Sequence, residues 1–161
     1  MRVVHIITGL GDGGAEGVLF RICTYDSLDD HLVISLSDEG KYGPLLREKG
    51  VLVYPLRMRA NLLSLVAFVR MVRLLRMHKP DVIQTWMYHA DLLGGIAARI
   101  AGVRNIVWGI RATTPDMSGK YKSINLIRKI LGFLSKNLET KIIPIYLIIC
   151  LLKTIKSLSK D

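Results

Sequence analysis

Cysteine, aromatic residues and acidic residues are all scarce in this chain, and each shortage argues against a class of protein. Cys23 and Cys150 are the only cysteines among 161 residues, and neither belongs to a motif with metal-ligand spacing. We therefore expect reduced thiols in a cytoplasmic protein, without a structural disulfide or a bound metal. Aromatic residues make up only 7% of the chain, so base-stacking platforms for nucleic acid are not evident.

The chain also lacks a long uninterrupted apolar segment. Its start, MRVVHIITGLG, carries one positive charge and a short apolar run, which Gly-Asp-Gly-Gly interrupts before a signal peptide could be completed. The run Ile142–Leu152 contains Pro144 and is too short to cross a bilayer. The first segment is interpreted as a core strand, and a transmembrane helix is not expected.

Positive charge is what the chain has in excess, and it is unevenly spread. Residues 1–116 carry 14 Lys/Arg against 11 Asp/Glu, whereas residues 117–161 carry 9 against 2. Such an excess favours anionic partners, namely phosphate groups, an acidic lipid surface or nucleic acid. No nucleic-acid motif supports the last of these.

Apolar strand-like runs alternate with helical patterns along the chain. This alternation predicts one α/β domain with a Rossmann-like open parallel sheet and helices on both faces. The predicted strands are Val3–Ile7, His31–Leu36, Val51–Pro55, Val82–Thr85 and Asn105–Trp108; the predicted helices are Gly14–Tyr25, Pro44–Glu48, one from about Leu62, His89–Ala101 capped by Gly102, and one near Lys122–Leu134.

The segment TGLGDGGAEGVLFRI, which follows the first predicted strand, has the composition of a phosphate-binding turn. Its glycines let the backbone approach a ligand, and the start of the next helix attracts an anion. Ligands of open parallel sheets bind beyond the carboxyl ends of the strands. We therefore expect Glu16, Asp38, His89 and Arg111 to line a cleft together with the glycine-loop amides.

Four segments together resemble the N-terminal domain of the family-four glycosyltransferases, which are retaining enzymes of GT-B architecture. They are HIITGLGDGGAEGVLFRI, DEGKYGPLLREKGVLVYPL, KPDVIQTWMYHADLLGGIAARIAGV and NIVWGIRAT, and they follow the family's order over about residues 2–115. The resemblance implies that residues 1–136 form the N-terminal half of a GT-B enzyme.

The resemblance also implies roles for particular residues. Gly13 and Gly14 would lie beside the donor diphosphate and the acceptor, and His89 would face the donor sugar as the catalytic residue. Glu16 would take the place of the acid in the family's G-G-x-E loop, and Arg111 would contact the acceptor or a phosphate. The interpretations without a ligand are that Glu16 is an ordinary acid in the first turn of a helix and that the His89 side chain forms hydrogen bonds with backbone groups. No metal or cofactor is implied.

The implied function is that of the acceptor-binding domain of a hexosyltransferase-type enzyme. Such an enzyme moves a sugar from a nucleotide-sugar to a glycan or lipid-linked acceptor in cell-surface polysaccharide synthesis. The family's donor-binding domain has no counterpart in this chain, so we expect the chain alone to be inactive. Residues 137–161 form a divergent apolar and basic tail, which would be a truncated or frame-shifted end or a sixth strand followed by a helix.

Two other functions remain open. Gly9, Gly11 and Gly14 also satisfy the dinucleotide spacing, and Asp38 could contact a ribose, as in an NAD-binding oxidoreductase domain. Alternatively, the chain could be the non-catalytic partner subunit of a split glycosyltransferase.

The long helix after the third strand is apolar all round in its first half and is therefore expected to be buried. Its second half carries Arg70, Arg73 and Arg76 within an arc of about 120°. This basic edge is either a solvated face or a contact with an anionic membrane surface. The second interpretation predicts a cytoplasmic protein that associates peripherally with the inner face of the membrane.

Overall fold

A computed structural model describes residues 1–25, 29–58, 63–110 and 141–144, and these residues form six strands and four helices. The elements in chain order are β1 Arg2–Ile7, α1 Gly14–Tyr25, β2 Asp30–Ser35, α2 Tyr42–Glu48, β3 Leu52–Pro55, α3 Leu63–His78, β4 Val82–Trp86, α4 Tyr88–Ala101, β5 Ile106–Ile110 and β6 Lys141–Pro144. Strands and helices thus alternate as the sequence pattern predicts.

The six strands form a single sheet in the order β3-β2-β1-β4-β5-β6. Every pair of neighbouring strands is parallel. The chain moves outwards from β1 in one direction and then returns to the other side of β1 to continue with β4. The strand β1 is therefore central, as predicted, and the reversal of strand order occurs beside it, where open parallel sheets bind ligands.

Helices cover both faces of the sheet. On one face α3 and α4 pack against a core that contains Val4, Ile6 and Ile83. On the other face α1 and α2 pack against a second core that contains Ile7 and Trp86. Successive residues of a strand point to opposite faces, so Val4 and Ile6 of β1 contribute to one core and Ile7 contributes to the other. The predicted α/β Rossmann-like architecture is confirmed.

The burial of helix α3 differs from the expectation. Met71 and Leu75 are buried against the sheet side, but Leu65 and Val66 are 63% and 66% exposed. The expectation that the apolar first half of this helix is buried was wrong for these two residues, because the sheet and α4 cover only one side of α3. The exposed side is consequently apolar at its start and basic further along.

Three sequence-based predictions fall partly or wholly outside the described residues. These are Arg111, the predicted helix near Lys122–Leu134, and most of the tail 137–161. Within the tail, β6 pairs with β5 in parallel, with Ile142 opposite Trp108. Among the described residues no helix is both long enough and apolar enough to cross a bilayer.

Candidate functional site

The candidate site lies at the carboxyl edge of the sheet, where the glycine loop and the β4–α4 turn meet. Strands β1 and β4 are parallel neighbours, and Ile7 at the end of β1 lies opposite Trp86 at the end of β4. The chain segments that continue from these two residues therefore leave the sheet at the same level. This confirms that the Gly9–Glu16 loop and the Trp86–His89 turn share one rim.

The glycine loop is held by backbone contacts with the segment that follows β2. The Ser37 amide donates to the Thr8 carbonyl at 3.0 Å, and the Tyr42 amide donates to the Leu10 carbonyl at 3.0 Å. Gly40 has φ +45, and a Cβ atom there would collide with the Leu10 carbonyl group. Only glycine permits this close approach, so Gly40 is part of the support of the loop.

The first turn of α1 presents amides that have no acceptor within the helix. The Gly17 amide makes the first intrahelical bond, at 3.1 Å to the Gly13 carbonyl. The amides of Gly14, Ala15 and Glu16 precede it, and such groups are the donors that helix N-termini offer to anions. Gly13 and Gly14 are exposed and carry no side chains of their own at this helix start.

The carboxylate of Glu16 folds back beside Gly13. A Cβ atom at Gly13 would lie 3.2 Å from Glu16 Oε1 and closer still to Oε2. The negative charge thereby stabilises the positive end of the helix, as expected of an ordinary acid in the first turn. A phosphate at the same position would be repelled until the Glu16 side chain rotates away.

The residue after this acid, Gly17, is buried and does not line the cleft. A Cβ atom at Gly17 would lie 3.2 Å from the Tyr42 hydroxyl. A larger side chain at this position would therefore require Tyr42 to move.

An ion pair bridges the glycine loop and the start of α2. Lys41 Nζ lies 2.9 Å from Asp12 Oδ1, and these side chains are 54% and 71% exposed. The hydrogen bond with Asp12 raises the pKa of the Lys41 ammonium. Water screens such an exposed pair strongly, so it contributes little to stability.

The predicted cleft residue Asp38 is also exposed, and its carbonyl accepts a 2.6 Å hydrogen bond from Ser35 Oγ.

The turn between β4 and α4 has a strained backbone. Met87 adopts φ 76 and ψ 150, a region that is essentially restricted to glycine. Strain of this kind costs on the order of 1–3 kcal/mol, and it concentrates at functional sites. The turn places His89 in the first turn of α4 with its side chain exposed.

Within the described part of the chain, the His89 imidazole has no hydrogen-bond partner, so it is available to a ligand. Backbone groups were expected to form hydrogen bonds with the His89 side chain, but no such bond is present among the described residues. The glycine loop and His89 are thus brought to one edge, whereas Arg111 lies outside the described residues.

Sequence reasoning missed Asp91, which is the most buried acid near the site. Asp91 is fully buried, and its Oδ1 accepts a 2.6 Å hydrogen bond from Thr85 Oγ1. Its other oxygen, Oδ2, has no hydrogen-bond partner among the described residues. Burial raises the pKa of the Asp91 carboxyl to about 7, although the Thr85 hydroxyl acts in the opposite direction. In the sequence, Asp91 is indistinguishable from an ordinary first-turn acid.

The close packing of α4 on the sheet explains why Asp91 is buried. A Cβ atom at Gly94 would lie 2.9 Å from Thr85 Cγ2 and 3.0 Å from Ile6 Cδ1. The absence of a side chain at Gly94 lets the helix approach β1 and β4 closely. The first turn of α4, which carries His89, therefore lies close to the carboxyl edge.

The three arginines of the predicted basic edge do not have equivalent surroundings. Arg70 and Arg73 are exposed on α3, beside the exposed apolar residues Leu65 and Val69. Arg76 instead donates a 2.9 Å hydrogen bond to the Ile100 carbonyl near the end of α4. Two of the three arginines are therefore on a face that combines apolar and basic side chains.

Comparison with solved structures supports the fold. The chain is similar to HepE (Alr3699) of Anabaena in complex with UDP, with a TM-score of 0.66 and 20% identity over 89% of this chain and 44% of HepE. A structure of HepE with UDP and glucose gives a TM-score of 0.65 and 19% identity over 86% of this chain and 36% of that protein. MurG of Acinetobacter baumannii gives a TM-score of 0.51 and 18% identity over 67% and 34% of the two chains.

These neighbours have the GT-B fold, and the chain shares its Rossmann-like domain. No protein-family model matches the sequence, and no curated protein matches it significantly. At these identities the likeness establishes the fold alone. The chain spans less than half the length of each of these neighbours.

Proposed function

We propose that this chain is the acceptor-side half of a retaining glycosyltransferase of the family-four type. The observation that carries the proposal is the carboxyl edge of the sheet. There, the open N-terminus of α1 and its two exposed glycines share a rim with the strained turn that presents His89. A diphosphate and an attached sugar require an amide-rich anion site next to a polar group that reaches the sugar.

The donor in this proposal is a nucleotide-sugar of the UDP type. HepE, which has a similar fold, has been crystallised with UDP and with UDP-glucose. The amides of Gly14 and Ala15 would meet a diphosphate oxygen, and the dipole of α1 would stabilise its charge. The reaction would need neither a metal nor a cofactor.

His89 acts in this proposal as a positioning and electrostatic group for the transferring sugar. Its exposed imidazole would hydrogen-bond a sugar hydroxyl and hold the anomeric carbon against the acceptor. The buried Thr85–Asp91 contact supports the turn that carries His89, so the imidazole would be oriented before the donor arrives. Arg111 is proposed as a contact of the acceptor or of a phosphate, and Glu16 as a contact of the acceptor.

The acceptor is proposed to be a glycan or a lipid-linked sugar in cell-surface polysaccharide synthesis. The exposed apolar and basic side of α3 supports this proposal, because it suits the surface of an anionic membrane. The protein would then act as a peripheral protein on the cytoplasmic face of that membrane.

The chain by itself should bind a nucleotide-sugar with millimolar affinity or weaker and should transfer no sugar. Each amide hydrogen bond contributes only about 1 kcal/mol net, whereas association costs at least several kcal/mol. A donor-binding domain, joined to the chain or encoded separately, would supply the remaining contacts. Isothermal titration calorimetry with UDP-glucose tests this directly. Micromolar binding or measurable transfer would contradict the half-enzyme proposal.

A second experiment tests the location of the site and separates the proposal from NAD binding. In an amide NMR titration of the chain, millimolar UDP-glucose should shift the resonances of Gly13, Gly14 and His89. In His89→Ala, the shifts of the glycine loop should persist, because the diphosphate contacts remain. The alternative oxidoreductase function predicts that NAD shifts the glycine loop and Asp38 at lower concentration than UDP-glucose does.

A further inference from the structure

A cluster of two histidines and one cysteine lies inside the sheet–helix core, away from the carboxyl edge. His5 is on β1, His31 is the second residue of β2, and Cys23 is near the end of α1. The three residues are 1%, 8% and 6% exposed, respectively. One ligand atom from each of them lies within 4.8 Å of the other two.

The register of the sheet explains why these side chains converge. His31 lies opposite Val3, and His5 lies opposite Val33, so the two histidines are diagonal neighbours on the same face. That face is the one α1 covers. Ala15, Leu19 and Cys23 follow one another at intervals of one helical turn, and all three are buried. Cys23 therefore faces the histidine pair from the helix above it.

We propose that His5, Cys23 and His31 form a binding site for a thiophilic d10 metal ion, Cu⁺ or Zn²⁺. Two imidazoles and a thiolate are the ligand types that these soft ions prefer. Nothing in the proposed sugar transfer uses this cluster. The site is an addition to the proposed function and does not rest on it.

The distances are close to those of a metal centre. Ligand atoms around a copper or zinc ion lie about 3.3–3.7 Å apart, given metal–nitrogen and metal–sulfur bonds of about 2.0–2.3 Å. His5 Nε2 and His31 Nδ1 are 3.1 Å apart, and their rings are stacked with an interplanar angle of 25°. The remaining separations, at most 4.8 Å, would have to close by about 1 Å. Side-chain rotation can supply a movement of this size.

The burial of the three residues limits the charge that the site can hold. A Cu⁺ ion with one thiolate would leave the buried site without net charge, so charge balance favours Cu⁺ over Zn²⁺.

Trp86 sets the tautomer of His5 in the metal-free protein. Trp86 Nε1–H donates to His5 Nδ1 at 3.4 Å, which leaves the His5 proton on Nε2, directed at His31 Nδ1. When a metal binds through Nε2, this proton would move to His5 Nδ1, and the hydrogen bond from Trp86 would be lost.

The binding step balances in atoms and charge. The S–H bond of Cys23 breaks, its proton goes to solvent, and one metal–sulfur and two metal–nitrogen bonds form. No oxidant or reductant takes part, because the ion keeps its oxidation state. Binding should therefore release one proton for each metal ion.

The test uses the reduced chain, which is titrated anaerobically with Cu⁺ or Zn²⁺ alone against a competing chelator. We expect one equivalent of at least one of the two ions to bind, and X-ray absorption should show one sulfur and two imidazole nitrogens at the metal. Cys23→Ser should weaken binding by at least about 100-fold. The matched control, Cys150→Ser, should bind like the unmodified chain.

Several outcomes would overturn the proposal. These are no stoichiometric binding of either ion to the unmodified chain, a metal without a sulfur ligand, or binding that Cys150→Ser abolishes and Cys23→Ser leaves intact. The circular dichroism of metal-free Cys23→Ser shows whether that variant folds. The X-ray absorption spectrum of the unmodified chain with bound metal identifies the ligand atoms without the use of a variant.

Discussion

The hydroxyl of Thr85 donates a buried 2.6 Å hydrogen bond to the carboxyl of Asp91 and thereby joins the end of β4 to the first turn of α4. The Asp91 amide also donates to the Met87 carbonyl at 2.9 Å. These two hydrogen bonds connect the residues on either side of the strained turn that carries His89. The direction in which α4 leaves the sheet, and hence the position of the imidazole, depends on them.

Asp91→Asn should change how stability depends on pH. Burial raises the folded-state pKa of Asp91 from 3.8 to about 7, whereas in the unfolded chain the carboxyl is ionised above about pH 4. The folded state therefore binds a proton that the unfolded state lacks, and stability falls as pH rises from about 4 to 7. The neutral amide of asparagine removes this dependence.

Urea denaturation of both proteins at several pH values measures the effect. The stability of Asp91→Asn relative to the unmodified chain should rise between pH 5 and 7 and level off above 7. Each unit of pKa shift corresponds to about 1.4 kcal/mol, so the total change should be a few kcal/mol. A difference that does not vary with pH would mean that Asp91 is ionised in the folded protein at pH 5.

Met87→Gly should stabilise the chain or leave its stability unchanged, unlike glycine substitutions at most positions. Met87 has φ 76 and ψ 150, a conformation that glycine adopts without strain. Relief of about 1–3 kcal/mol of strain should equal or exceed the roughly 0.5–1 kcal/mol entropic cost of a glycine. Met87→Ala, which keeps the strain and removes the same side chain, is the matched control. If the glycine variant proves less stable than the alanine variant, the turn is not strained.

Gly40→Ala should disrupt the support of the glycine loop. The new methyl group would collide with the Leu10 carbonyl and lie 2.7 Å from the Gly11 amide nitrogen. We expect a loss of about 2 kcal/mol or more and shifted amide resonances in the loop. Gly50→Ala is the control, because Gly50 has φ +81 but open space around it. It should lose only about 1 kcal/mol, which reflects backbone strain alone. Equal losses would show that the contact with Leu10 is unimportant.

Arg70→Gln combined with Arg73→Gln should weaken binding to anionic lipid vesicles. Both arginines are exposed on α3, and each basic residue near such a surface contributes about 1 kcal/mol at low salt. Vesicle sedimentation should therefore show at least about tenfold weaker binding, and salt should release the unmodified chain. The control combines Arg21→Gln with Lys49→Gln, which removes the same charge. Both of these residues lie towards the opposite face of the sheet. Equal binding to neutral and anionic vesicles would make the α3 face an ordinary solvated surface.

The ends of individual helices could be predicted closely because they depend on residues that are near one another in the sequence. Helix α1 begins at Gly14, as predicted, since the glycines end the preceding loop and the apolar period of the helix starts there. Helix α4 ends before Gly102, whose φ of 88 requires a residue without a Cβ atom. The carboxyl-edge rule then placed the glycine loop beside His89, because that rule follows from the β–α alternation alone.

The exposure of α3 could not be predicted in this way. Its first half is apolar on every side, and hydrophobicity alone indicates burial. Only the assembled sheet shows that one side is covered while Leu65 and Val66 are exposed. Similarly, the burial of Asp91 depends on how closely Gly94 lets α4 approach the sheet, and this is a property of packing.

The sequence by itself determined the order of strands and helices, the glycine loop and the edge at which a ligand would bind. These features depend on periodicity and on the backbone freedom of glycine, which act over a few neighbouring residues. The tertiary structure alone decided that His5, Cys23 and His31 meet in one buried cluster. Strand register and the direction of α1 bring these residues together, and neither leaves a spacing pattern along the chain. Contacts between distant residues arise only when the sheet has been assembled.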